Sequence, residues 1–208
     1  ALYHALKQGH PVLPIFIFDK DIVEVLPEDD PRVNFIYDTL ADIDKELKSL
    51  GSSLLILKGK VDEVWQSLCR DYTISDVFFN RDYEPYARQR DAGIEKQLTG
   101  AGIMVHSFKD QVVFEPHEVL KADGKPYTVF TPYKRKWLQL YDSVTIYDAP
   151  DGSSFLQITN EIPTKNALGI KVSAIKVMPY DFKVVADYAK YRDYPSINGT
   201  SRLGPYLR

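Results

Sequence analysis

Three stretches of this sequence gather residue types that can do chemistry. The first is Arg192-Asp193-Tyr194-Pro195 followed by Gly199-Thr200-Ser201-Arg202. Gly199 permits a tight backbone, and the Thr200 and Ser201 hydroxyls with nearby N–H groups can hold phosphate oxygens. Arg192 and Arg202 add charge suited to phosphate. A plain helix cap at Thr200 or Ser201 explains the same residues equally well. The second stretch is Arg81, Asp82, Glu84, Tyr86, Arg88, Arg90 and Asp91, which crowd a loop and helix start behind the apolar run Val77-Phe78-Phe79. In an open α/β sheet, ligands bind where loops leave the carboxyl ends of strands. Glu84, Arg88 and Asp91 also stand at i, i+4 and i+7, so an ion-paired solvent face is the plainer reading. The third is Tyr127 to Trp137, where aromatics interleave with Lys134, Arg135 and Lys136. Such a mixture can touch nucleic acid, but a capped helix with a solvated basic face is the simpler account.

Other chemistries lack their residues. No glycine-rich loop of the dinucleotide or Walker type follows any visible strand. Four scattered His and one Cys form no metal-ligand cluster. No nucleophile–base pairing marks a triad. A net charge of −3 advertises no overall basic field. Cys69 is alone, which excludes an internal disulfide and fits a reducing, cytoplasmic setting. No apolar run approaches the length that spans a bilayer, and the first residues carry no signal-peptide pattern. With 208 residues, 44% of them hydrophobic, the chain is one large domain or one domain with an appendage.

The elements that must position these residues follow from periodicity. Residues 1–8 read as a helix ended by Gly9. Val12 to Phe18 reads as a buried strand whose paired part begins at Ile15, because Pro14 cannot donate to a ladder. Val33, Ile36, Tyr37, Leu40, Ile43, Leu47 and Leu50 recur at helical spacing, capped by Asp29 or Asp30 ahead of Pro31. Ser53 to Leu57 is a second strand, and Val61 to Tyr72 a helix. A strand over 76–80, a helix over 84–99 and a strand from Ile103 to Phe108 follow. This βαβαβαβ order predicts a doubly wound parallel sheet with helices on both faces. Such a unit normally opens on a strand, so the pattern implies a missing first strand and a sequence truncated at its N-terminus. Beyond 108 the alternation stops. Thr131-Pro132 opens a helix, 148–154 reads as exposed linker, and a last helix is expected over about 182–191. The chain looks cut inside a second domain.

All three stretches also carry a resemblance. Gly199-Thr200-Ser201-Arg202-Leu203, with Arg192-Asp193-Tyr194-Pro195 ahead of it, resembles the start of the flavin domain of the DNA photolyase/cryptochrome family. Tyr127-x-Val-Phe-Thr-Pro-Tyr-x-Arg-x-Trp137 looks like that family's signature near the end of its α/β antenna domain. Asn80-x-x-Tyr83-Glu84-Pro85-Tyr86-x-Arg88-x-Arg90-Asp91 is similar to its fourth-strand loop and helix, and Leu13-Pro14-Ile15-Phe16-Ile17-Phe18-Asp19 to its second strand. The likeness implies an α/β antenna domain over 1–141, an irregular linker over 142–181 and the opening of a helical FAD domain over 182–208.

It further implies a blue-light-driven DNA-repair lyase, in which reduced FAD passes an electron to a flipped-out cyclobutane pyrimidine dimer. A cryptochrome-type photoreceptor without repair activity is the alternative. Tyr188, Thr200, Ser201, Leu203 and Gly204 match the first FAD-binding positions, although the family usually has Ser where Gly204 stands. Arg192 matches an arginine that contacts DNA phosphate. A second antenna chromophore, a deazaflavin or a folate, is implied for the strand-end cleft, with Asp82, Glu84 and Tyr86 as its candidates. Folate-binding members place Asn-Glu where this chain has Tyr86-Ala87, which speaks against their mode of holding it. The implied partner is DNA containing pyrimidine dimers, bound by a full-length monomer. The fragment alone is expected to hold FAD poorly and to repair nothing.

Overall fold

In the computed structural model, which describes residues 1–142, 144–149, 152–197 and 199–206, four parallel strands alternate with helices. The order is α1 (Leu2–Leu6), β1 (Ile15–Asp19), α2 (Lys20–Val23), α3 (Pro31–Ser49), β2 (Leu55–Gly59), α4 (Val61–Asp71), β3 (Asp76–Asn80), α5 (Pro85–Gly100) and β4 (Met104–Phe108). Then come α6 (Phe130–Tyr141), a 3-10 turn (Phe182–Val185), α7 (Tyr188–Tyr191) and a second 3-10 turn (Gly204–Tyr206). Pro150 and Asp151 of the expected linker, and Leu207 and Arg208 at the end, lie outside the described residues.

The strands form two ladders. β1 pairs with β2 in the register Ile15↔Leu55 to Asp19↔Gly59, and β3 pairs with β4 from Asp76↔Met104 to Asn80↔Phe108. The single doubly wound sheet expected from the sequence is therefore two parallel halves. Phe18, Leu40, Leu47 and Ile56 centre one core, between β1, β2 and α3. Val77, Ile94, Leu98 and Ile103 centre the other, where Val61 and Trp65 of α4 also pack.

Local rules explain most boundaries. Asp30 caps α3 by accepting from the Arg32 amide at 2.8 Å, with Pro31 in the first turn. β1 starts at Ile15, just behind Pro14. Four expectations shift. β2 begins at Leu55 and not Ser53, because the buried Ser53 hydroxyl is engaged by the Ile158 carbonyl and the Asn160 amide. The helix expected from Thr131 begins at Phe130, so Thr131 lies within its first turn and makes no cap. The last helix is broken at Ala186-Asp187 into the 3-10 turn and α7. α2 was not foreseen; Asp19 caps it by accepting from the Asp21 amide at 3.0 Å.

Residues 152–173 have no helix or strand, but they are bound to the α/β unit. Val12 donates to the Ser154 carbonyl and accepts from the Leu156 amide, both at 2.8 Å. Phe155, Leu168 and Ile170 are buried in the α3 core. The Asn34 side-chain amide donates to the Lys171 carbonyl, the Tyr37 hydroxyl to that of Pro163, and the Lys58 ammonium to that of Leu168.

Candidate functional site

Two clefts hold several of the residues that the sequence singles out. The first, about 420 Å³, is lined by Tyr188, Arg192, Thr200, Ser201, Arg202, Leu203 and Gly204 among others. All five flavin candidates and the DNA candidate thus face one space. α7 presents Tyr188, and Arg192 follows it as the helix's C-terminal cap. The segment 199–204 returns alongside, fixed by the Asp181 amide donating to the Ser201 carbonyl at 2.8 Å. Arg202 has φ +56°, a left-handed turn that is uncommon for a side-chain-bearing residue. Neither the Thr200 nor the Ser201 hydroxyl caps a helix or bonds any described residue, so both are free to meet a ligand oxygen. Arg192 keeps only a long, exposed pairing with Asp193 at 3.6 Å. Two arginines, two free hydroxyls and three tyrosines suit a phosphate-bearing aromatic ligand. The volume lies in the lower part of the roughly 300–1,000 Å³ typical of ligand sites. These residues fit part of a flavin dinucleotide.

The second cleft, about 550 Å³, lies at the carboxyl ends of the strands. Asp21 behind β1, Lys60 behind β2, and Tyr86, Gln89 and Arg90 on α5 line it, with Ile94 and Val61 as apolar wall. The Tyr86 hydroxyl donates to Asp19 Oδ2 at 2.7 Å, and Arg90 approaches the same oxygen at 3.9 Å. Asp19 is only 5% exposed, so this contact fastens the exit end of β1 to α5. Burial, with the Asp19 carboxylate beside it, pushes the Tyr86 hydroxyl up to about 12. It stays a donor at any ordinary pH.

The charged group over 81–91 divides in space. Only Tyr86 of the three antenna candidates lines the cleft. The Asp82 carboxylate accepts from the Glu84 amide at 3.1 Å, and Glu84 is the residue before the first turn of α5. Arg90 pairs with Asp91 and Asp19. Arg81 turns away to Glu115, at 2.8 Å, and to the Ser107 carbonyl. Glu115 is 7% exposed and also accepts from the Tyr83 hydroxyl at 2.8 Å. Burial works against its charge, yet the bonds from Arg81 and Tyr83 outweigh burial and hold its pKa below the usual range. Glu118 accepts from the Glu115 amide and from Lys109, which closes the latch. Asp19, Asp21, Lys60 and Gln89 had not been proposed as site residues. Asp19 and Lys60 each end or directly follow a strand, so the strand-end rule alone could have found them. The basic residues Lys134, Arg135 and Lys136 of α6 make no ion pair among the described residues; the first two are exposed and Lys136 is half-buried.

Comparison with known proteins decides the family. The DNA photolyase family model matches residues 1–151. The chain belongs to the DNA photolyase family. It is 30% identical to a deoxyribodipyrimidine photo-lyase of Halobacterium salinarum, covering 98% of this chain and 46% of that one. Among solved structures it is similar to a bacterial class III photolyase from Agrobacterium tumefaciens, with TM-score 0.78 and 23% identity over 100% of this chain and 46% of that one. An archaeal photolyase from Sulfolobus tokodaii, described with two FAD molecules, superposes with TM-score 0.72 and 22% identity, over 99% and 47% of the two chains. The chain spans about half the length of the curated relative it matches. Among the described residues, no helix is long and apolar enough to cross a membrane, and no group of metal-ligating side chains is assembled.

Proposed function

We propose that the chain is the antenna half and flavin-domain opening of a deoxyribodipyrimidine photolyase, which repairs cyclobutane pyrimidine dimers in DNA under blue light. One observation carries the reading: the residues matched to flavin and DNA positions, on α7 and on the irregular segment that returns beside it, meet in one cleft, and the Thr200 and Ser201 hydroxyls bond none of the described residues. FAD, when bound, supplies the light-driven electron. Thr200 and Ser201 hold its phosphate oxygens, Tyr188 and Leu203 pack against it, and the Gly204 N–H stands in for the usual serine. Arg192, exposed at the rim, meets a DNA phosphate. The remaining walls of the pocket belong to the half of the relatives' length that this chain does not span. Tyr86, Arg90 and Lys60 frame the place of a second chromophore, of deazaflavin or flavin type rather than folate. The domain limits 1–141, 142–181 and 182–208, a monomeric full-length protein and a cytoplasmic setting belong to the same proposal.

The test is light-dependent repair of a dimer-bearing oligonucleotide by the full-length protein. Dimer loss under blue light and none in the dark is the expected result. Flavin photoreduction without dimer loss would instead identify a cryptochrome-type receptor. Purified 1–208 is expected to show no stoichiometric flavin absorption, and full flavin bands would refute the division of the pocket.

A further inference from the structure

The segment 199–203, which carries the Thr200 and Ser201 hydroxyls, has no helix or strand to fix it. Arg202, in its course, holds a left-handed φ of +56°. A residue with a side chain keeps such a conformation only where its surroundings impose it. Backbone bonds stand on either side of that turn. The Ser201 carbonyl accepts from the Asp181 amide at 2.8 Å, and the Leu203 carbonyl from the Tyr206 amide at 2.9 Å. The chain that bears these anchors starts and ends at neighbouring residues of α3. It leaves the α/β unit at the buried Ser173, whose amide donates to Asn34 Oδ1 at 3.4 Å. It returns at Tyr206, whose ring meets the ring of Phe35 edge to face at 5.3 Å. Tyr180, on the outward run, lies against the same Tyr206 ring at 5.0 Å, and the Tyr206 hydroxyl donates to the Met178 carbonyl at 3.2 Å. Among the described residues, no hydrogen bond or ion pair joins 174–206 to 1–172. The outward and returning runs are thus fastened to each other, and the Phe35–Tyr206 ring pair fastens both to α3.

We infer that Phe35 and Tyr206 are positioning residues for the flavin: their ring pair seats the segment 199–204 on α3 and so fixes where Thr200 and Ser201 meet phosphate oxygens. This role rests on the flavin reading of the cleft. Neither ring lines the cleft, so both act through backbone. Tyr206 acts on Leu203 through its amide, and Phe35 acts on Tyr206. An edge-to-face ring pair at this spacing contributes beyond the area it covers. Phe35 is half-buried, Tyr206 is exposed, and neither belongs to the two cores. The joint can therefore part while both cores stay packed. The loop then still hangs from Ser173, but its hydroxyls lose their fixed places. FAD must order them as it binds, which costs affinity.

FAD affinity of the flavin-stripped full-length protein, titrated by flavin fluorescence, tests it. Phe35→Leu and Tyr206→Leu remove a ring but keep apolar bulk, and Phe35→Tyr keeps the ring. Each Leu variant is expected to bind FAD about threefold to tenfold more weakly than the parent. The double variant is expected to lose no more than about twofold beyond either single, because both break one joint. Phe35→Tyr is expected to stay within about twofold of the parent. Phosphorus NMR of the bound FAD is expected to shift in the Leu variants and to stay unchanged in Phe35→Tyr. Unaltered affinity, additive losses in the double variant, or Phe35→Tyr as weak as Phe35→Leu would overturn the inference while the flavin reading stands. Loss of folding in Phe35→Leu would also overturn it, since the pair would then belong to the core. A parent that takes up no FAD would overturn the flavin reading and this role with it.

Discussion

Replacing Phe155 by Ala tests whether the irregular segment behind α6 is a tether or part of the α/β core. Phe155 is 3% exposed and packs among Phe18, Leu47, Leu54, Ile56, Leu168 and Ile170. Its own backbone neighbours, Ser154 and Leu156, are tied to Val12. The backbone on either side is therefore held in place and cannot close the hole that truncation leaves. Removing a buried phenylalanine ring costs about 3–5 kcal/mol. For a domain of this size each kcal/mol lowers the melting temperature by roughly 2–4 °C, so Phe155→Ala is expected to lose about 6–20 °C. Phe130→Ala is the control, because Phe130 is 71% exposed. It is expected to stay within about 0.5 kcal/mol of the parent, or roughly 2 °C. Thermal unfolding followed by far-UV circular dichroism measures both. If Phe155→Ala melts no more than about 2 °C below the parent, the segment is a tether and the burial argument fails. The same reasoning predicts that residues 1–141 alone do not melt cooperatively, since Phe155, Leu168 and Ile170 are then missing from the core.

Tyr86→Phe removes the hydroxyl that serves the buried Asp19 carboxylate, and is expected to destabilise the protein by about 1–3 kcal/mol in urea unfolding; an unchanged midpoint would show that the bond is idle. Acid should unfold the protein through specific carboxylates. Arg32 holds Asp30 down to about 2, His106 holds Asp76 down, and Glu115 and Glu118 are also lowered. Groups depressed by folding stabilise above their unfolded pKa and lose that contribution as pH falls through the folded one. Stability should thus be flat above about pH 5 and fall toward pH 2, with a shallower fall in Glu115→Gln; an identical acid slope in that variant would rule out the latch as a contributor. In the full-length protein, Arg192→Gln should weaken DNA binding and reduce the salt dependence by about one counterion, and an unaltered slope would remove Arg192 from the DNA face.

What was readable in the sequence was what has a period. Of the α3 stripe, Val33, Leu40 and Leu47 are buried as the spacing predicts while Ile36, Ile43 and Leu50 are exposed, and Pro14 marks the edge of β1 to the residue. The segment 152–173 has no period, because its residues reach the core one at a time between turns; composition alone reads it as linker. The strand-end cleft shows the same limit in chemistry. Asp19 and Tyr86 stand 67 residues apart and Arg81 and Glu115 stand 34 apart, so no spacing rule joins them. Their neighbours in sequence suggested an ion-paired face of Glu84, Arg88 and Asp91 instead, but the partner of Asp91 is Arg90, which also approaches Asp19. The rule that did reach the cleft was topological, since residues at or just behind the carboxyl ends of parallel strands arrive at one edge. It finds Asp19 and Lys60 without any motif. The flavin cleft had no such help. Its segment 199–203 is neither helix nor strand; its residue types pointed to phosphate no more strongly than to a helix cap, and the resemblance alone named a flavin. Its geometry then adds what resemblance could not, namely that among the described residues the Thr200 and Ser201 hydroxyls neither cap a helix nor find a partner.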